Sequence, residues 1–217
     1  MVHVRAMRTE DTLPAAAIHI EGQPRTFLSS LGSAFVARLF DYTAHSPQGF
    51  GFVAVDGDEV VGFAVGTQSN AGLFRHVLTR HALPLTLAVL RRAVRRPSIL
   101  PKLAETLRYP AAVREKADEA ESLSRGVRGD WQGKGVGSLL WQAVNQAARA
   151  RGARFILTTV DEAHTVVNAW HRERQHELVR TFTMYGRTMT VYRIPVEAEL
   201  PTGETAVISA VEGLSNA

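Results

Sequence analysis

The chain has 217 residues, 45% of them hydrophobic and 21% charged, with no cysteine. That composition fits one globular domain and excludes disorder, collagen and coiled coil, while the lack of cysteine excludes disulfides, thiolate metal sites and an acyl-cysteine intermediate. The formal charge of +4 is uneven: residues 71–116 hold ten Lys and Arg against two Glu, a net +8, and residues 197–217 hold four Glu and nothing basic, a net −4, so a neutral body carries a basic segment and an acidic tail.

Val2 to Met7 alternates and reads as an opening strand, and Thr9-Glu10-Asp11 then supplies cap-type residues before Leu13, Ala16, Ala17 and Ile20 at helical spacing. The first twenty residues carry charges throughout, which predicts a cytoplasmic protein without a signal segment. Leu31, Phe35, Val36, Leu39 and Phe40 mark a second amphipathic helix, ending near His45-Ser46-Pro47. Phe50 to Val55 and Val60 to Val65, joined through Asp56-Gly57, read as a hairpin.

Residues 71–116 are rich in Leu, Ala and Arg and punctuated by prolines, which predicts two or three helices inserted between strands. Within them Leu83, Leu87, Leu90 and Val94 form an apolar stripe, and Arg91, Arg92, Arg95 and Arg96 two ridges expected on the other side, an anion-binding surface. Ala82 to Leu90, broken by Pro84, is too short to span a membrane. A strand follows over Ala120 to Val127, then a helix through Val136, Leu139, Leu140, Val144 and Ala147 that stops at Gly152. Phe155 to Val160 reads as a buried strand, Thr165 to His176 as a helix, and 178–183 with 187–195 as two closing strands around Tyr185-Gly186. The order predicts an α/β domain over 1–196 with a mixed sheet, a basic insert at 71–116 and an acidic appendage at 197–217.

Chemistry concentrates in Val127-Arg128-Gly129-Asp130-Trp131-Gln132-Gly133-Lys134-Gly135-Val136-Gly137-Ser138. A strand leads through a glycine-rich turn into a helix, so free backbone N–H groups converge at the helix start and form an anion site for a phosphate or pyrophosphate. Lys134 is followed by Gly135 rather than Ser or Thr, against a nucleotide P-loop, and Leu140 stands where a dinucleotide fingerprint needs its third glycine. Gln132, Gly135 and Gly137 satisfy the third pattern, Gln/Arg-x-x-Gly-x-Gly/Ala; an ordinary glycine-rich turn is the bland alternative.

On this loop and the order of elements around it, residues 2–195 resemble the GCN5-related N-acetyltransferase (GNAT) superfamily. The resemblance implies the acyl-CoA N-acyltransferase fold: a mixed, mostly antiparallel sheet flanked by helices, here with the helical insert between the third and fourth strands. It implies acetyl-CoA as co-substrate and no metal. Its cofactor set would be the Val127 backbone toward the pantetheine, Gln132, Gly133, Lys134, Gly135, Val136, Gly137 and Ser138 around the pyrophosphate, and Asn168. The tyrosine with which the family protonates the leaving thiolate is missing from the last helix; His171 stands there as a donating imidazolium or a packed core histidine, with Tyr185 and Tyr192 as substitutes.

The family's general base is often a carboxylate on the fourth strand. Glu119 and Glu121 alternate there, so both carboxylates share one face, either as a pair that raises one pKa or as solvated strand-end charges; Glu121 is the base on this reading. His164 and His171 are two helical turns apart and His171 and His176 miss a shared helical face, which speaks against zinc. The implied activity is acetyl transfer to a primary amine of a small molecule in a ternary complex; a non-catalytic acyl-CoA-binding module lacking the acid is the alternative. Phe27 to Gly32 beside a helical insert resembles acyltransferases associated with bacterial surface sugars, which would take an amino sugar, while the four insert arginines, expected to line the acceptor entrance, favour an anionic amine. Few aromatics interleave the insert's arginines, so no nucleic-acid partner is expected, and no integral membrane association; a homodimer is compatible with the chain.

Overall fold

The Asp56-Gly57-Asp58-Glu59 turn closes the hairpin of β2 (Gly49–Asp56) and β3 (Glu59–Thr67), with Gly57 at φ +58°, a conformation that glycine adopts without a Cβ penalty. In the computed structural model the described residues are 1–95, 97, 99–113 and 116–197. The expected acidic appendage beyond residue 197, and the side chains of Leu83, Leu90, Arg91, Arg95 and Arg96, lie outside them. Around that hairpin β1 (Val2–Ala6), β4 (Glu119–Val127), β5 (Phe155–Asp161), β6 (Glu177–Met184) and β7 (Arg187–Pro195) complete a seven-stranded sheet ordered β1-β2-β3-β4-β5-β7-β6. Every pairing is antiparallel except β4 with β5.

Two apolar layers cover the sheet. α8 (Val136–Ala150) lays Val136, Leu140, Ala143, Val144 and Ala147 on one face, against Ala54, Ala64, Ala120 and Ile156. On the other face, α1 (Thr12–Gly22) and α3 (Ser33–Ala44) pack Ala15, Ala16, Val36 and Phe40 onto Val53, Phe63 and Val65. The second helix expected from Leu31 onward is α3, which starts at Ser33 because Gly32 turns the chain at φ +92°; a short α2 (Phe27–Ser30), not expected from the sequence, precedes it.

Among the described residues the insert holds four helices rather than two or three: α4 (Asn70–Arg80), α5 (Ala82–Arg95), α6 (Ile99–Thr106) and α7 (Tyr109–Val113). α5 is rotated from the orientation its leucines predict. Val89 and Ala93 are the buried pair, packed with Ile99 on Phe27 and Leu31, while Leu87 is 47% and Val94 86% exposed. The reason is visible at Arg92, whose Nε donates to the Ser30 carbonyl at 3.0 Å; this arginine is turned toward the body, not away from it. α9 (Thr165–Glu173) ends before the expected His176, because Gln175 adopts φ +53° and folds the chain back, with His176 N–H donating to the His171 carbonyl at 3.0 Å. No helix among the described residues is long and apolar enough to cross a membrane.

Candidate active site

Strands β4 and β5 pair in parallel only from Glu119↔Phe155 to Ser122↔Thr158. Beyond that point β4 stays with β3 as far as Val127↔Gly62, and β5 stays with β7 as far as Asp161↔Met189, so the two strands part. A β-bulge starts the separation: Gly66 pairs with Ser122 and Val65 with Ser124, leaving Leu123 as the extra residue. Past Ser122 the β5 side of β4 has no strand partner, and its N–H groups there can meet a ligand.

β4 then runs into the glycine-rich turn. Arg128 pairs with Glu59 and Asp130 and pins the turn to the β2–β3 hairpin, while Gln132 Nε2 donates to the Val127 carbonyl at 3.1 Å and closes it. Gly133 and Gly135 have φ of +74° and +82°, both left-handed, and Gly135 caps α8, its carbonyl accepting from the Ser138 and Leu139 N–H groups. A Cβ at Gly133 or Gly135 would meet nothing within 4 Å, and one at Gly137 only Val127 Cγ2 at 3.8 Å, so space lies open over the first turn of the helix. Val136 turns its side chain into the core, leaving its backbone for the loop. Lys134 Nζ lies 4.8 Å from the Trp131 ring centroid. Asp130, the carboxylate within this turn, is neutralised by Arg128. These residues fit a diphosphate: an exposed, glycine-lined helix start with first-turn N–H groups that have no intrahelical partner.

Glu121, at the last but one position of the parallel pairing, is fully buried on the sheet face opposite α8. Asn70 Nδ2 and the Tyr109 hydroxyl donate to its carboxylate, and Thr159 Oγ1 donates at 3.1 Å. Glu119, on the same face, has partners of its own, Arg193 Nε at 2.9 Å and the Lys116 N–H at 2.7 Å. Neither carboxylate is a solvated strand end: both are buried, and each accepts from donors of its own.

Tyr109 and Asn70 are functional candidates that the sequence reading missed. Tyr109 opens α7 and is the one tyrosine of the insert, followed by Pro110; Asn70 follows Ser69, whose side chain accepts from the Gly72 N–H to cap α4. The Ser-Asn cap and the Tyr-Pro helix start are visible as local signals, but neither says which strand it meets. Burial, and then the Glu121 charge, raise the Tyr109 pKa well above that of a free phenol, so it stays protonated.

His171 does not fit the imidazolium role. It is 2% exposed, and burial first, then His176, lowers its pKa to about 4, so it is neutral near pH 7. Its Nδ1 lies 2.9 Å from His176 Nδ1, a contact that helical spacing did not predict because His176 is not on the helix. Asn168, 5% exposed, donates to the carbonyls of Asp161 and His164 at 2.8 and 2.9 Å and accepts from the Tyr192 hydroxyl at 3.0 Å. That places it as a tie between α9 and the sheet, with both ends of its amide engaged inside the protein, and it commits the Tyr192 hydroxyl as well. The Tyr185 hydroxyl lies 2.8 Å from Thr106 Oγ1 and its ring packs on Phe27, on the insert's side of the molecule. Among the described residues no three His, Asp or Glu side chains group to hold a metal.

On the α8 face of β4, the Arg125 guanidinium lies 4.7 Å from the Trp141 ring centroid, and its Nη1 is buried without a hydrogen-bond partner among the described residues. Burial pulls its pKa down to about 10.

Residues 103–176 match the family model of the Acetyltransferase (GNAT) family. No curated protein matches the chain. Among solved structures, a protein of the GNAT acetyltransferase family from Desulfovibrio desulfuricans superposes with TM-score 0.60 at 13% identity, covering 91% of this chain and 100% of its own. The ribosomal-protein-S18-alanine N-acetyltransferase of Escherichia coli gives 0.55 at 14% identity, covering 94% and 99%. An acetyltransferase from Salmonella typhimurium, solved with its cofactor acetyl-CoA, gives 0.56 at 12% identity, covering 91% and 95%. The GNAT resemblance and the mixed, mostly antiparallel sheet flanked by helices are thereby borne out.

Proposed function

From a chain of GNAT fold with a GNAT acetyltransferase segment at 103–176, we propose that this protein transfers the acetyl group of acetyl-CoA to a primary amine of a small molecule within a ternary complex. The observation that carries this is the parting of β4 and β5 beyond Ser122 and Thr158, with a buried carboxylate, Glu121, beside the fork and a glycine-lined helix start at the far end of β4.

Acetyl-CoA, when bound, supplies an activated acyl thioester. Gln132 to Ser138 would hold its pyrophosphate through backbone N–H groups, Lys134 adds a positive charge, and Val127 lends backbone to the pantetheine. The unpaired N–H groups of β4 past Ser122 polarise an acyl carbonyl laid along that edge. Glu121 accepts the proton that an ammonium must lose before it attacks. The net +8 of residues 71–116 favours an acceptor carrying negative charge.

The neutral His171 favours one competing reading, an acyl-CoA-binding module without turnover. Thiol release from acetyl-CoA across a panel of primary amines, including amino sugars and amino acids, separates the two when run beside calorimetric titration with CoA. Turnover with at least one amine supports the enzyme, binding without turnover supports the module, and no CoA binding defeats both.

A further inference from the structure

Glu121 has no exposed surface, so an ammonium cannot touch it directly. Among the groups that donate to its carboxylate are the Asn70 amide, the Thr159 hydroxyl and the Tyr109 hydroxyl, and a hydroxyl can pass a proton to it. An amide does not relay protons at neutral pH. Thr159 and Tyr109 lie 2.9 Å apart, and Thr159 is the first β5 residue beyond the point where β4 and β5 separate, so the phenol oxygen sits at the fork itself. Tyr109 is half-buried, with its ring against Phe182. The ionisable groups facing it are Glu121 from β4 and Tyr185 from the turn between β6 and β7.

We propose that Tyr109, brought to the fork by the insert, is the relay through which the buried Glu121 deprotonates the acceptor ammonium. The proposal rests on the acetyl-transfer reading above. In the step, an N–H bond of the ammonium breaks as a new O–H bond forms on Tyr109, and the original Tyr109 O–H breaks as its proton bonds to a Glu121 carboxylate oxygen. The phenol ends as it began, Glu121 becomes a neutral acid and the amine becomes a nucleophile; the reverse passage returns the proton to water after the product leaves. No phenolate forms, in keeping with a hydroxyl that burial and the neighbouring carboxylate hold protonated. The insert therefore does more than wall the acceptor space: it supplies the phenol of this proton path.

The test uses the full chain, the best amine from the panel and its β-fluorinated analogue, whose ammonium is more acidic and has less need of a base. Tyr109→Phe should lower kcat for the parent amine about 100-fold, the scale of a lost proton transfer, with acetyl-CoA affinity unchanged and with a clearly smaller loss for the fluorinated amine. Equal losses for the two amines would reduce Tyr109 to a structural support and overturn the relay. A kcat within about twofold of the parent enzyme, beside a large loss in Glu121→Gln, would overturn the relay and leave the base standing. Full activity in Glu121→Gln, or no turnover with any panel amine, would remove the base reading itself. Should Tyr109→Phe unfold, 3-fluorotyrosine at position 109 keeps the shape while making the phenol more acidic; an unchanged kcat there would also overturn the relay.

Discussion

The imidazole of His171 lies flat on the ring of Tyr192, with centroids 4.2 Å apart and planes within 3° of parallel. A ring held that way, with Trp170 edge-on beside it, is a packing element whose charged form the site cannot solvate. The protein therefore spends its last-helix histidine on the joint between α9 and the sheet, where the family places a proton donor for sulfur.

This joint makes stability depend on pH. The pKa values of His171 and of His19, buried beside Phe40 and Phe63, are both lowered by burial to about 4, against about 6.5 in the unfolded chain. Between those values the unfolded state binds more protons, so stability falls as pH drops from about 6.5 to about 4 and is level with respect to these groups above that window. Urea midpoints at pH 7.5 and 5 should show the drop, and His171→Phe should shrink it. A wild-type drop that His171→Phe leaves unchanged would mean that His171 is solvated enough to charge.

The loop separates two roles for glycine. Gly135 needs its left-handed φ of +82°, so Gly135→Ala strains the α8 cap by about 1 kcal/mol and confounds binding with folding. Gly137 lies inside the helix with no such demand, and a Cβ there reaches only Val127 Cγ2 at 3.8 Å. Gly137→Glu should thus keep Tm within a few degrees while filling the anion site with a carboxylate, lowering CoA affinity at least 100-fold by calorimetric titration. Unchanged affinity would move the cofactor elsewhere.

What was legible in the sequence was local. Gln132, Gly135 and Gly137 announce the anion turn because a helix start and its glycines are consecutive residues, and Glu119 and Glu121 announce themselves as alternating carboxylates on one strand. The Asn70 and Tyr109 contacts to Glu121 span 51 and 12 residues, and periodicity carries no information on which helix of an insert meets which strand. The rotation of α5 failed for a related reason: in a helix rich in Leu, Val and Ala more than one stripe is apolar, and α2 selects Val89 and Ala93. His176 was misplaced because the chain leaves the helix at Gln175, a residue without the glycine that usually signals such a turn.

Arg125 inverts the usual expectation for a core substitution. Arg125 is half-buried, and its Nη1, buried without a partner among the described residues, bears a desolvation penalty that a cation–π contact with Trp141, worth about 0.5–2 kcal/mol, offsets only in part. Arg125→Met keeps the aliphatic stem and removes the charge, so it should raise the urea midpoint, by about 1 kcal/mol of stability. A loss of stability instead would show that the guanidinium has an anionic partner in solution.

The docking of the insert on α2 can be broken at one small residue. Ala93 is buried among Phe27, Leu31, Val89 and Ile99, so Ala93→Asp places a carboxylate in an apolar seam, at a cost of several kcal/mol. The body of the sheet does not depend on that seam, because its two layers are built by α1, α3 and α8. The variant should therefore keep its fold while residues 70–113 become sensitive to limited proteolysis. Its acceptor KM should rise, since Tyr109 and the contact between Thr106 and Tyr185 travel with the insert. Acetyl-CoA affinity should hold, because the glycine-rich turn is anchored to the β2–β3 hairpin through Arg128 and Glu59 rather than to the insert. Leu87→Asp, on the exposed side of the same helix, is the control and should leave all three readouts unchanged. If acetyl-CoA affinity falls in Ala93→Asp while the acceptor KM stays put, the insert covers the cofactor and not the acceptor.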